Sequence, residues 1–319
     1  MLSIIVPVFN EAESLRQLHF EIDETCSVRK IDVEIIFVDD GSTDDTWGAV
    51  RNLAERDARV RGLRLRRNFG KTAALAAGIH SSQGDLVCMM DADLQDDPAE
   101  IPALLEKIAA GSDLVNGWKK HRLDPWHKVY ASHVFNLMVS RLTGLKLHDH
   151  NCGLKCFRRE VASEIRLYGD LHRFIPAQAH ARGFKVVELA VHHRPRKFGH
   201  SKYGVRRFLI GFLDLLTVSF LTKLGQRPQH LLGAMGLMLF ALGGCGLVGL
   251  LLVWLLKNVP PYWNAAPAGP SPLFTGSVAA LLMGMQFMSL GFVAALLVAS
   301  TVRDADTYSI AERTDVDSA

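Results

Sequence analysis

Several signatures are missing from this chain of 319 residues. Its five cysteines stand at positions 26, 88, 152, 156 and 245 and form no Cys-x-x-Cys pair, so their spacing marks neither a zinc site nor a disulfide framework. An odd number without spacing logic fits free thiols in a reducing compartment. No Gly-x-Gly-x-x-Gly follows a strand-like run, which counts against a dinucleotide-dependent oxidoreductase. The N-terminus opens directly on a strand pattern, without a basic stretch and a long apolar run, so no cleavable signal peptide is expected. Charge of one sign is lacking in sum, since 36 Lys and Arg against 33 Asp and Glu leave a net +3. That sum hides a basic run from Arg194 to Arg207 and a net acidic stretch from Asp304 onward. No nucleic-acid partner is expected.

Two stretches lack charge altogether. Leu231 to Leu256 and Leu273 to Val302 contain no Asp, Glu, Lys or Arg, and each is long enough to cross a bilayer. Phe208 to Leu221 is apolar around a single Asp214 and is flanked by Arg206, Arg207 and Lys223, which suits an interfacial helix better than a span. Small residues recur every fourth position at Ala241, Cys245 and Gly249 and at Gly276, Ala280 and Gly284. That pattern suits close helix packing and leaves homo-oligomer formation through the transmembrane helices open. Arg206, Arg207, Lys223 and Arg227 precede the first span, Arg303 follows the second, and Lys257 is the lone cation between them. The positive-inside rule then puts the N-terminal domain and the tail in the cytoplasm. Pro260, Pro261, Pro267, Pro270 and Pro272 keep the outer loop irregular. The expected organisation is a cytoplasmic domain over 1–205, a juxtamembrane interfacial helix over 206–228, two transmembrane helices with a short outer loop over 229–303, and a disordered tail over 304–319.

In the N-terminal part, short apolar runs alternate with helical patterns. Ser3 to Phe9, Val33 to Val38, Val60 to Leu65, Leu86 to Met90 and Leu114 to Trp118 read as strands. This alternation predicts an α/β domain with a doubly wound, mostly parallel, Rossmann-like sheet. In such sheets ligands lie beyond the carboxyl ends of the strands, where Glu11, Asp39, Asp91 and Asp93 all fall. Asp91 and Asp93 are two residues apart, so in an extended chain both carboxylates point to one side. Hard oxygen ligands suit Mg²⁺ or Mn²⁺ rather than zinc, and such an ion completes its shell with water and substrate phosphates. An isolated Asp-x-Asp more often does no more than end a strand. Here the other acidic strand ends make a metal-compatible mouth, which points to a nucleoside diphosphate.

Four segments, in order, carry a resemblance. Val6-Pro7-Val8-Phe9-Asn10-Glu11, Val38-Asp39-Asp40-Gly41-Ser42-Thr43-Asp44-Asp45-Thr46, Asn68-Phe69-Gly70-Lys71 and Asp91-Ala92-Asp93-Leu94-Gln95-Asp96-Asp97-Pro98 resemble the family 2 glycosyltransferases. Within these the chain looks most like the branch of dolichyl-phosphate mannosyltransferase and bacterial polyprenyl-phosphate (bactoprenol) glucosyltransferases. The likeness covers roughly residues 3 to 205, and the tandem membrane segments extend it. It implies a GT-A fold, a nucleotide-sugar donor and inversion at the sugar carbon. Carried over by position, Pro7, Phe9, Glu11, Asp39 and Lys71, with Asp91, would bind the nucleotide. Asp91, Asp93 and Gln95 would hold a divalent cation and the diphosphate. The Gln-x-x-Arg-Trp motif of processive relatives is missing, and His172-Arg173-Phe174 occupies the comparable region, which disfavours polymer synthesis.

The same resemblance assigns further residues. Trp118 to Arg122 is basic; it is either a solvated charge run or, as in related enzymes, a site for the lipid phosphate, with Lys119 and Arg122 as its cations. A guanidinium binds phosphate bidentately, which favours Arg122. His127 to Leu142 reads as an amphipathic helix for core or membrane-surface packing. Asp149 to Lys155 matches a segment lining the donor sugar, and Asp149 is read as a polar contact to sugar or acceptor, counted with Asp91 and Asp93 as catalytic. Cys152 and Cys156 are read as packed thiols. Arg194, Ser201 and Lys202 belong to a stretch resembling a mobile basic loop over the diphosphate, with a membrane-surface patch as the alternative.

The function expected from these readings is transfer of one sugar, with inversion, from a nucleoside-diphosphate sugar of the UDP-glucose or GDP-mannose type to a polyprenyl phosphate. The product would be a polyprenyl-monophosphate sugar, made by a multi-pass protein of a bacterial-type inner membrane. The rivals are transfer to a glycolipid hydroxyl and a non-catalytic scaffold that only binds nucleotide sugar.

Overall fold

The computed structural model describes residues 1–120, 126–165, 167–195, 228–258 and 272–301. The chain begins with β1 (Leu2–Val8), α1 (Ala12–Arg29), β2 (Val33–Asp39), α2 (Thr46–Arg56) and β3 (Val60–Arg64). It continues with α3 (Lys71–Ser81), β4 (Leu86–Met89), a 3₁₀ turn (Pro98–Glu100) leading into α4 (Ile101–Ala109), β5 (Leu114–Lys119) and α5 (Trp126–Thr143). Then come β6 (Lys155–Arg158), α6 (Arg159–Glu164), a 3₁₀ turn (Leu171–Phe174), α7 (Ile175–Ala181) and β7 (Val186–Val191).

The seven strands form one sheet in the order β3-β2-β1-β4-β6-β5-β7. All neighbours are parallel except β6, which runs antiparallel to both β4 and β5. The runs in β1, β2 and β4 are almost wholly buried because helices cover both faces of the sheet, which is why they carry no polar alternation. Pro7 sits in a central strand, a place where a missing N–H is costly. It is tolerated here near the carboxyl end, since the β1–β4 register runs only from Leu2 to Ile5. On one face Leu15, Leu18 and Ile22 of α1 and Leu104 and Ile108 of α4 pack on β1, β2 and β4. On the other, Ala74 and Leu75 of α3 and Ile175 of α7 meet Ile5, Val38 and Met89. Gly78 lets α3 lie close, since a Cβ there would stand 2.5 Å from Ile5 Cγ2.

The five expected strands are present with ends shifted by a residue or so. The antiparallel β6 adds to the alternating pattern, and the sheet remains mostly parallel. Helix α5 buries Phe135 and Val139 against Leu171, Phe174 and Ala177, so its apolar face serves the core.

A second unit is the helix pair α8 (Pro228–Asn258) and α9 (Pro272–Thr301). Gln229–Leu256 and Pro272–Leu297 are long and apolar enough to cross a membrane. Their contact uses small residues, but in a different row from the one the sequence offered on the first helix. Added Cβ atoms at Gly236, Gly243 and Gly284 would lie 2.7 Å from the Gly284 carbonyl, 2.5 Å from the Ser277 carbonyl and 2.5 Å from the Phe240 nitrogen, whereas Gly249 and Gly276 meet nothing within 4 Å. The expected helix over Phe208 to Leu221, the flanking Arg206, Arg207, Lys223, Arg227 and Arg303, the outer-loop Pro260, Pro261, Pro267 and Pro270, and the tail lie outside the described residues.

Candidate active site

The carboxyl ends of β1 and β2 are laced together by short polar bridges. Asn10, at φ 56°, donates its backbone N–H to Ser42 Oγ at 3.0 Å, and its Oδ1 accepts the Thr43 N–H at 2.9 Å. The Glu11 N–H donates to Thr46 Oγ1 at 2.9 Å. Asp39, fully buried, accepts the Ser42 N–H at 2.8 Å and pairs with Arg64 Nε at 3.3 Å. Pro7 is in register with Val38, one pair before Val8 and Asp39 close the β1–β2 ladder. The four residues expected at the nucleoside, Pro7, Phe9, Glu11 and Asp39, therefore share one rim.

A third loop closes onto this rim through Asp40. Its two carboxylate oxygens accept the N–H groups of Phe69 and Gly70 at 2.7 and 2.9 Å. Gly41, at φ +70°, admits the backbone of Arg67, whose carbonyl carbon would stand 2.5 Å from a Cβ. Gly70 then turns the chain at φ +96° into α3, and Lys71, first in that helix, donates to Asp91 Oδ1. Burial pushes the Asp91 carboxyl up, but Lys71, with Lys119 behind it, outweighs that and holds the group well below the usual carboxylate range.

Asp91 and Asp93 do not continue as an extended strand. β4 stops at Met89, Leu94 takes φ 61°, and Asp93 accepts the Gln95 N–H at 3.1 Å, so the segment is a tight turn. Among the described residues no group of three His, Cys, Asp or Glu side chains forms a metal cluster. A cation would instead rely on few protein oxygens, the habit of Mg²⁺ and Mn²⁺. The donor set fits: Asp91 is kept ionised, Asp93 and Gln95 add oxygens, and the site is built for close approach. Gly153 faces it, and a Cβ there would lie 2.8 Å from Asp91 Oδ2 and 2.7 Å from Asp96 Oδ2.

Residues that the motifs did not single out organise the inner wall. Asp96, 1% exposed, pairs with Lys119 Nζ at 3.2 Å and accepts the Asp91 N–H at 3.3 Å. Lys155, buried on β6, donates to the Cys152 carbonyl, and burial lowers the pKa of its ammonium. Asn116 donates to the Asp149 carbonyl at 2.6 Å, and the Asn151 N–H donates to Asp149 Oδ1 at 3.0 Å. Together these hold the Asp149 to Gly153 loop against the acidic turn. His172, which stands where processive relatives carry their Gln-x-x-Arg-Trp motif, shares a 2.7 Å hydrogen bond with Thr72 beside Lys71, and burial pushes its pKa well below the usual histidine range. Cys152 and Cys156 are buried thiols, as expected.

Two cations proposed for phosphates already have carboxylate partners. Lys119 has Asp96. Arg194 holds Glu21 at 2.6 Å and Asp97 at 2.7 Å, and its N–H donates to the Gln95 carbonyl at 3.0 Å, so it ties α1 and the end of β7 to the acidic turn. Arg122, Ser201 and Lys202 lie outside the described residues. Asp40, Asp96, Asn116 and Lys155 were not among the expected site residues. Asp40 and Asp96 lie inside two of the motif segments and Lys155 ends the segment that begins at Asp149, whereas Asn116 carries no motif signal.

The family described as Glycosyl transferase family 2 matches residues 3–166. The chain is similar to the dodecaprenyl-phosphate galacturonate synthase of Rhizobium johnstonii, with 36% identity over 308 residues, 95% of this chain and 89% of that enzyme. It is similar to the undecaprenyl-phosphate 4-deoxy-4-formamido-L-arabinose transferase of Pseudomonas aeruginosa, with 34% identity over 294 residues, 92% of this chain and 84% of the relative. Among solved structures, glucosyl-3-phosphoglycerate synthase from Mycobacterium tuberculosis with Mn²⁺ and UDP-glucose superposes with a TM-score of 0.51 at 18% identity, over 70% of this chain and 78% of that one. This likeness shows the fold, GT-A.

Proposed function

The chain belongs to glycosyl transferase family 2, and from that premise we propose that it moves one sugar, with inversion, from a nucleoside-diphosphate sugar to the phosphate of a polyprenyl phosphate at a membrane. The single observation that carries this reading is the joined mouth. Lys71, Asp91, Asp93 and Gln95 stand at the carboxyl end of the sheet, on the same side as the rim of Glu11 and Asp39.

A phosphate monoester has a second pKa of about 6 and is largely dianionic at neutral pH. Its oxygen is already a nucleophile, so no strong general base is needed, unlike transfer to a sugar hydroxyl. Asp39 and Glu11 would orient the nucleoside, and Asp149 would meet the sugar or the acceptor. Lys71, Arg122, Arg194 and Lys202, with Lys119 and Ser201, are proposed to face phosphates of donor or acceptor. When bound by Asp91, Asp93 and Gln95, Mg²⁺ or Mn²⁺ would offset the charge of the departing diphosphate. Orientation supplies the rest, because holding both anions in line removes much of the entropy of their encounter.

The donor is proposed as UDP-glucose or GDP-mannose in type. The names of the relatives, which carry a galacturonate and a formamido-arabinose, add uronic and amino-pentose nucleotides to the panel. The catalytic domain is proposed to face the cytoplasm from an inner membrane. Full-length protein in nanodiscs, given each labelled donor with undecaprenyl phosphate and Mn²⁺, is expected to yield a mild-acid-labile lipid-linked sugar. A product stable to mild acid, formed only with a glycolipid, would replace this reading with hydroxyl transfer.

A further inference from the structure

Asp40 is buried, 4% exposed, and directly follows β2, beside a carboxylate already expected at the nucleoside. Its own side chain points elsewhere. One oxygen accepts the Phe69 N–H at 2.7 Å and the other the Gly70 N–H at 2.9 Å. A carboxylate that takes a backbone N–H on each oxygen fixes a turn in both position and orientation. The turn it fixes is the last one before α3, and Gly70 at φ +96° is its pivot. From there Lys71 reaches Asp91.

The body of α3 is held independently. Gly78 sits against Ile5, and Thr72 is bonded to His172 at 2.7 Å. The helix axis is thus set by its packing, whereas the direction of its first residue is set by the loop that enters it. Among the described residues that loop has one carboxylate anchor, Asp40, together with the tight approach of Arg67 to Gly41.

We propose that Asp40 is a positioning residue for the transfer reaction: by gripping the Phe69–Gly70 backbone it aims Lys71 at the Asp91 carboxylate. This rests on the reading of the mouth as a glycosyl-transfer site. Asp40 touches no substrate in this scheme. It acts through Lys71, so its effect is to disappear when Lys71 is gone. An asparagine has one acceptor oxygen and one NH₂ group, so Asp40→Asn keeps the size, loses one of the two N–H bonds and sets a donor against a donor.

The test is a double-mutant cycle on full-length protein in nanodiscs with Asp40→Asn, Lys71→Ala and the pair, because residues acting as one unit do not multiply. Asp40→Asn is expected to lower kcat about tenfold, within the roughly hundredfold that a 1 Å misplacement can cost, with the donor KM little changed. In the Lys71→Ala background the same change is expected to alter kcat less than about twofold. Independent multiplication of the two losses, or full activity of Asp40→Asn, would overturn the proposal. A second readout needs neither donor nor acceptor. Labelling with an amine-reactive reagent, followed by mass spectrometry, is expected to find Lys71 protected in the parent protein and reactive in Asp40→Asn. Phe69→Pro, which removes one of the gripped N–H groups and leaves Asp40 intact, is expected to expose Lys71 likewise. Equal protection of Lys71 in parent and variants would overturn the proposal even if every lipid-phosphate assay were positive. The labelling outcome stands by itself if the acceptor proves to be a hydroxyl.

Discussion

Asp96 and Lys119 form an ion pair at 3.2 Å in which the carboxylate is 1% and the lysine side chain 16% exposed. Removing one partner of such a pair strands the other, at a cost of about 3–5 kcal/mol. Asp96 is the more deeply buried, so Lys119→Met is expected to destabilise more than Asp96→Asn. The double variant is expected to recover part of the loss. Thermal unfolding of the four proteins checks this; equal melting of parent and single variants would show that the pair carries no weight.

Asp93→Asn removes a carboxylate proposed as a cation ligand from the acidic turn, while Asn can still accept the Gln95 N–H. Loss of a charge-stabilising contact at a leaving group costs about 10²–10³ in rate. Turnover is expected to fall by that order with unchanged melting, and the apparent Mn²⁺ requirement to rise. Near-parent activity that ignores EDTA would remove the metal role from Asp93.

Gly153→Ala places a methyl 2.8 Å from Asp91 Oδ2 and 2.7 Å from Asp96 Oδ2. Both carboxylates are held, one by Lys71 and one by Lys119, so neither yields freely. The variant is expected to lose affinity for nucleoside diphosphate with Mn²⁺ in calorimetry by at least tenfold, or roughly 1.4 kcal/mol. Unaltered affinity would show that the loop withdraws without consequence.

His150 is buried against Ser140 at 3.0 Å, and burial lowers its pKa to about 4. Between that value and the unfolded value of about 6.5 the unfolded chain binds a proton that the folded chain refuses, so stability rises with pH there. Acidification from pH 6.5 towards 4 is therefore expected to remove stability on the order of 3 kcal/mol through this one group. His150→Gln should flatten that part of the profile. Parallel profiles for parent and variant would assign the acid sensitivity to other groups.

Arg122→Ala is expected to raise the KM for polyprenyl phosphate, or lower turnover, with nucleotide-sugar affinity preserved. Arg122→Lys should recover only part, because a point charge lacks the fork of a guanidinium. Calorimetry of donor binding beside acceptor-dependent kinetics decides it: a fall in donor affinity with unmoved acceptor kinetics would assign Arg122 to the donor.

Much of this architecture is legible in the residues. Unbroken apolar runs such as Ile4 to Val6 and Ile35 to Val38 mark buried parallel strands, and the acidic residues that end them mark the mouth. Other features depend on partners distant in the chain. A strand reaching Cys156 is expected from the resemblance, but Lys155-Cys156-Phe157-Arg158 is short and polar at its ends, and nothing in those residues tells that it runs antiparallel between β4 and β5. The pairing of Asp91 and Asp93 on one side of an extended chain gave way to a turn, since Leu94 adopts a left-handed conformation that no propensity of leucine foretells. The ion pair of Arg194 with Glu21 could not be read from the sequence, because the two lie 173 residues apart.

The reversed strand β6 also bears on how this protein is born. As the chain emerges, β1 to β4 can assemble into half a sheet from neighbours close in sequence, but β5 and β7 reach that half only through β6. Until Lys155 to Arg158 has been synthesised, β4 has β1 on one side and an open hydrogen-bonding edge on the other. An apolar edge of that kind invites pairing with foreign strands. Shielding of that edge thus falls to four residues that arrive some 65 positions after the strand they cover, and a ribosome pausing in that interval would hold the nascent chain with the edge of β4 open.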